Sequence, residues 1–273
     1  ALPISLPPIL EQQRIADFLD ARSAEIDTLR SQIERQIGVL ESYKRSVITE
    51  AVTRGLYPAV QMKDSGDSWL SSIPVGWRLE RAKYLFEERK SKGNSVCLQV
   101  LSPTQQYGVI PQSQYDEISG MSTVKLKENF DLNELKTIHQ GDFCISLRSF
   151  QGGFEYSEYE GVVSPAYHVF YPVRKVFSGY FRYLFKEETF VKKMNSYTLS
   201  LRDGKNISFA DLGRTFIPVP PLVEQRQIAT YLDEKVSAVD GIISLKQEQL
   251  AKLAEYKKSL IFEYVTGKKE VPS

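Results

Sequence analysis

The 273-residue sequence has only two cysteines and two histidines. Cys97 and Cys144 are too few for a disulfide framework and lack metal-ligand spacing, so a reducing compartment is expected. His139 and His168 sit in no recognisable base, metal or triad setting. No P-loop or dinucleotide fingerprint occurs, and Gly152 and Gly153 in "RSFQGGF" read as a tight turn. An "NPPY"-like methyltransferase motif is missing as well. No segment approaches the ~20 apolar residues that cross a bilayer, and "ALPISLPPIL" lacks the basic start and long apolar run of a secretion signal. The expected location is therefore cytoplasmic. Charge of one sign is also scarce: 35 Lys+Arg face 34 Asp+Glu, a formal +1, unlike the strongly basic balance of many nucleic-acid binders.

What is present is an ordinary globular mixture, 42% apolar and 25% charged, and a long internal repeat. "LPPILEQQRIADFLD" from Leu6 to Asp20 returns as "VPPLVEQRQIATYLD" from Val219 to Asp233, 213 positions later. The same offset pairs Asp27 with Asp240, Leu40 with Leu253, Tyr43 with Tyr256, Lys44 with Lys257 and Val52 with Val265, all identical.

Each copy reads as a long helix. Pro8 and Pro221 suit the first turn, and Glu11 and Glu224 place negative charge near the helix N-terminus. Apolar residues recur three and four apart, through Ile15, Leu19, Ile26, Leu29, Ile33, Ile37, Leu40 and Val47, and again through Ile228, Leu232, Val236, Val239, Ile243, Leu250, Leu253 and Leu260. Gly55 with Pro58, and Gly267 with Lys268 and Lys269, supply stop signals. A helix of about 45 residues would be roughly 65 to 70 Å long, and one so amphipathic needs a partner stripe. If the intervening segment is compact with its ends close together, the two copies must pair antiparallel. A plain dimerisation stalk would not need a duplicated start, which lowers that alternative.

The middle of the chain changes character. Aromatics, glycines and prolines rise, and β-like runs are expected at Val96–Leu101, Asp142–Leu147, Val162–Phe170 and Arg214–Val219. Short helices are expected at Leu79–Glu88 and Gly179–Met194. The predicted class is α+β, a mixed α/β globular domain plus two long antiparallel helices forming a coiled coil. The division is residues 1–60, 61–218 and 219–273. Between Arg174 and Arg214 nine basic residues face four acidic ones. Amide, hydroxyl and guanidinium side chains gather in three turn-rich segments: Thr104, Gln105, Gln106 and Tyr107; Arg148, Ser149 and Gln151; and Ser200, Arg202, Lys205 and Asn206. Arg can grip guanine and Gln or Asn adenine in the major groove, while Lys and Ser more often hold phosphate. Any one such segment is more often just a solvated loop; together they make DNA the expected ligand. A coiled-coil scaffold presenting a protein-binding domain is the alternative, and an enzyme with an unrecognised site the third reading.

"LPPILEQ" opening a long helix, "SYKRSVITEAVTRGL" closing it, "WLSSIPVGWRLERAKYLFEERK" starting a globular domain and "IPVPPLVEQRQIATYLDEKVSAVDGII" opening the second helix together resemble the specificity subunit of Type I restriction-modification enzymes. The resemblance spans essentially the whole chain. It implies a non-catalytic subunit whose target recognition domain reads half of a split DNA sequence and whose helices act as a ruler. S-adenosylmethionine and ATP would belong to partner subunits, so no cofactor is expected here. The implied partners are double-stranded DNA, modification (methyltransferase) subunits and restriction subunits. The family carries two recognition domains and this sequence one, as a half-subunit or truncated form would, so a second copy joining through the helical arm is a further expected partner.

Overall fold

A computed structural model describes residues 6–93, 99–120, 134–146, 153–197 and 207–272. The chain divides into two compact units, residues 1–44 with 234–273 and residues 45–233.

The two long helices are α1, Ile9–Arg54, and α6, Leu222–Val265. Each ends at a glycine in the left-handed region, Gly55 at φ 81° and Gly267 at φ 71°, the conformation that a residue without Cβ adopts most cheaply. Within the first unit the two helices run antiparallel. Leu19 and Ile26 of α1 pack with Leu260 and Tyr264 of α6, and the Phe18 and Tyr264 rings lie 4.7 Å apart. Lys44 Nζ reaches Asp240 Oδ1 at 2.6 Å and Lys257 Nζ reaches Asp27 Oδ2 at 2.7 Å. Early residues of one helix thus meet late residues of the other. The sequence periodicity predicts this pairing.

The second unit is built on a four-stranded antiparallel sheet in the order β4 (Phe86–Glu88), β11 (His168–Pro172), β8 (Phe143–Ile145) and β9 (Phe154–Tyr156). Two-stranded pairs surround it: β1 (Met62–Asp67) with β2 (Leu70–Pro74), β3 (Arg78–Arg81) with β12 (Phe216–Val219), β5 (Leu101–Thr104) with β6 (Gly108–Pro111), and β7 (Lys136–Ile138) with β10 (Gly161–Val163). Among the described residues four short helices complete it: α2 (Gln112–Ser119), α3 (Ser178–Leu184), α4 (Glu188–Ser196) and α5 (Phe209–Arg214).

Aromatic burial holds this unit. Phe86, Phe143, Phe154, Phe170, Phe181, Phe185 and Phe190 are essentially inaccessible to solvent, and their rings meet mostly edge-to-face or tilted, the arrangement their quadrupoles favour. Ala51 and Val52 near the end of α1, and Ile228 and Leu232 near the start of α6, join the same core.

Three local expectations are corrected. Leu79–Glu88 is not a helix but β3, a single 3-10 turn at Ala82–Tyr84 and β4. Its apolar spacing suits a helix, yet backbone pairing with β12, with Arg81 opposite Phe216 and Arg78 opposite Val219, overrides local propensity. Gly179–Met194 is two helices, not one. Glu187 breaks it, because its carboxylate accepts Phe190 N–H at 2.7 Å and Thr189 Oγ1–H at 2.6 Å, capping α4. The run Val162–Phe170 likewise divides into β10 and β11.

Candidate nucleic-acid interface

One of the three polar segments falls within the described residues. The β5–β6 hairpin carries Thr104, Gln105, Gln106 and Tyr107 at its tip. Thr104 is buried, and its hydroxyl accepts Tyr107 N–H at 3.0 Å while donating to Gly108 O at 3.0 Å. It therefore shapes the tip and does not project from it. Gly108 closes the turn at φ 70°, and a Cβ there would lie 2.8 Å from Tyr156 O, so glycine is required both for conformation and for space. Gln105, Gln106 and Tyr107 are exposed at the apex. The hairpin thus presents two amides and a phenol on a tip stapled from beneath.

Arg148, Ser149 and Gln151, and Ser200, Arg202, Lys205 and Asn206, lie outside the described residues. Their flanks are anchored. Ser146 N–H donates to Gly153 O at 2.9 Å at the base of the first connection. The second is followed by buried Ile207 and by a capping box in which Ser208 and Asp211 satisfy each other's backbone N–H at the start of α5.

Charges within this unit are mostly used to hold it together. Arg89 grips Asp142 through Nε at 2.7 Å and a second nitrogen at 3.1 Å, with its guanidinium 4.3 Å from the Tyr171 ring centre. Glu155 is buried and receives Lys186 Nζ at 2.7 and 2.8 Å. Burial pushes its carboxyl up from 4.5 to about 7, against the downward pull of Lys186. Burial likewise raises the Cys144 thiol, leaving it unreactive. His139 Nδ1 lies 2.7 Å from Glu160 and His168 Nδ1 2.5 Å from Glu88. Among the described residues no group of three or more His, Cys, Asp and Glu could hold a metal, and no helix is long and apolar enough to cross a membrane.

Sequence reasoning missed a second basic surface. A groove of about 570 Å³ is lined by Arg81, Tyr84, Arg174 and Phe216 among others. Arg81 and Arg174 are 93 positions apart in the chain; the β4–β11 pairing, with Pro172 opposite Phe86, brings their segments together, which local sequence does not reveal.

The described residues thus give one unit with an exposed polar hairpin and an aromatic core, and another unit made of two antiparallel helices. Comparison with known proteins narrows the class. The family model for the Type I restriction modification DNA specificity domain matches residues 83–255, and the chain belongs to that family. Among curated proteins it is 25% identical to a putative type I restriction enzyme MjaX specificity subunit of Methanocaldococcus jannaschii, over 98% of this chain and 59% of that protein. It is 21% identical to the type I restriction enzyme EcoBI specificity subunit of Escherichia coli, over 97% and 58%. The chain thus spans less than two thirds of the length of these relatives. Its fold resembles a chain from a structural study of assembly and conformational transition in the type I R-M system, with TM-score 0.66, 18% identity, and coverage of 95% of this chain and 60% of that one. It also resembles the HsdS subunit from Thermoanaerobacter tengcongensis, with TM-score 0.51, 18% identity, and coverage of 97% and 60%.

Proposed function

We propose that residues 61–218 form a target recognition domain that reads one half of a two-part duplex DNA sequence, and that residues 1–60 and 219–273 form the arm on which methyltransferase subunits dock. The chain supplies recognition. S-adenosylmethionine and ATP would be bound by modification and restriction subunits, and the assembly would work on DNA in the cytoplasm.

The observation that carries this reading is a symmetry in the arm. Exchanging each residue for its repeat 213 positions away turns the Lys44–Asp240 ion pair into Lys257–Asp27, and both pairs are made. The arm therefore has an internal two-fold. Two exposed apolar positions obey it as well, Leu29 with Ile242 and Tyr43 with Tyr256. A surface that repeats itself about a two-fold suits two copies of one partner, which a simple stalk does not need. The same symmetry gives a second copy of this chain a way to supply the other half of the target, and so favours an inverted-repeat sequence.

Co-expression with the methyltransferase partner, followed by mapping methylated adenines across a genome, tests the whole reading. One motif with two inverted halves at fixed spacing is expected. Absence of methylation, or methylation without sequence preference, would overturn it.

A further inference from the structure

The groove beside β3 and β12 carries more positive charge than the unit's internal pairing uses. Its floor includes Leu79 and the half-buried Phe216 ring, and Glu80 is the one carboxylate among its described lining residues. That carboxylate is already taken by Arg78, at 3.0 Å. Arg81, at the end of β3, lies with its guanidinium 5.1 Å from the Phe216 ring centre. Lys83, on the following 3-10 turn, has its ammonium 4.9 Å from the ring of Tyr84, which is 52% exposed. Arg174 comes from the turn after β11 and has no acidic partner among the described residues. Two exposed cations from separate segments, Arg81 and Arg174, thus line one open groove, exposed Lys83 lies two residues beyond Arg81, and the groove's one lining carboxylate is already paired.

We propose that this groove holds the sugar–phosphate backbone of duplex DNA, with Arg81, Lys83 and Arg174 as phosphate contacts and Tyr84 packing against the sugar edge. The proposal rests on the DNA-reading role above and adds to it a sequence-independent contact surface. Cations on an open, partly apolar groove fit a polyanion that passes across it, because each phosphate contact releases condensed counterions and requires no particular base. Base selection then belongs to the hairpin apex and the other polar segments. The groove contributes affinity and register.

The test uses the full chain and a random-sequence 30-base-pair duplex, titrated over a series of salt concentrations. Replacing Arg81, Lys83 and Arg174 singly by Gln is expected to weaken binding roughly 3- to 10-fold at low salt, and the triple variant to flatten the log affinity against log salt slope by about 0.9 per lost contact. Preference for a methylation-mapped target over the random duplex should survive. Glu80→Gln removes the one nearby negative charge and frees Arg78, so it should tighten random-duplex binding a few-fold, a gain that misfolding cannot produce. Unchanged affinity and slope in the triple variant, with Glu80→Gln neutral, would overturn the groove assignment while leaving sequence reading intact. Loss of binding to a partner subunit with DNA affinity unchanged would assign the groove to an acidic protein surface and also overturn it. A parent chain that binds no duplex at all would defeat the DNA-reading role itself.

Discussion

The chain contains one sequence motif in two environments. Val52 and Val219 lie in the aromatic core of residues 45–233, with 0% and 1% of their surface exposed, whereas their repeats Val265 and Leu6 are 62% and 77% exposed. Ile228 is fully buried and its repeat Ile15 only partly so. The pattern of residues is nearly the same, so the difference lies in what covers it. One set is sealed by Trp77, Tyr180 and the phenylalanine cluster. The other leaves Val265 and Leu6 uncovered, while Ile15 packs beside Leu19 and Tyr264. The ion pairs divide in the same way: Glu155–Lys186 is desolvated within the globular unit, while Lys44–Asp240 and Lys257–Asp27 sit at a surface where both carboxylates are about half exposed. If two copies join as proposed above, this uncovered set is where the partner's recognition domain would sit.

The largest expected effect tests that contrast directly. Val52→Asp puts an unpaired charge into a sealed core and should cost at least about 4 kcal/mol or prevent folding. Val265→Asp, the same change at the repeated position, should leave the thermal midpoint of the isolated chain within error. The difference should disappear once a second domain is seated: self-association followed by sedimentation should be lost in Val265→Asp, though its melting is unchanged. Equal destabilisation by the two substitutions would show that the two environments are alike.

Next in size is the buried pair. Glu155 has a folded-state carboxyl raised from 4.5 to about 7, so between these values the folded chain binds a proton that the unfolded chain has released. Stability contributed by this group is therefore complete below about pH 4.5 and declines as pH rises toward 7. Glu155→Gln removes the decline. Denaturant unfolding at pH 5 and pH 8 should show the variant gaining roughly 2–3 kcal/mol on the parent as pH rises. Parallel curves would mean that the carboxylate is ionised throughout.

The hairpin apex should behave differently from either. Gln105→Ala and Gln106→Ala are not expected to alter melting, since both side chains are exposed. Binding to a mapped target should fall by ~1–3 kcal/mol for whichever of them reaches a base, without equal loss on random DNA. An identical loss on both would reduce that residue to a phosphate contact.

How far this was legible in the sequence follows from where the deciding contacts lie. The helical arm was readable because its partner is its own repeat: Leu19, Ile26 and Leu260 announce a stripe, and the duplication announces what faces it. The strands at Phe143–Ile145 and Phe216–Val219 were also visible as short apolar runs. Leu79–Glu88 was misread because β12, which makes it a strand, lies over 130 residues further along. The β1–β2 hairpin was missed because "MKDSGD" has no apolar alternation to reveal it. Among the site residues, the hairpin's amides could be chosen by chemistry. The groove's cations could not, since folding brings Arg174 beside Arg81 and local sequence does not.

The smallest effect is the most discriminating for the symmetry. Asp27→Asn and Asp240→Asn each remove one surface ion pair, and such pairs contribute at most about 1 kcal/mol. Because the two pairs are exchanged by the internal two-fold, their losses should match, and both should shrink as salt screens them. The match is a stricter requirement than the magnitude. A stalk that happened to acquire two lysine–aspartate contacts would have no reason to weight them equally, while an arm that presents the same face twice would. Chemical denaturation of the two variants at low and high salt decides it: clearly unequal losses would break the two-fold, and with it the argument that the arm seats two copies of one partner.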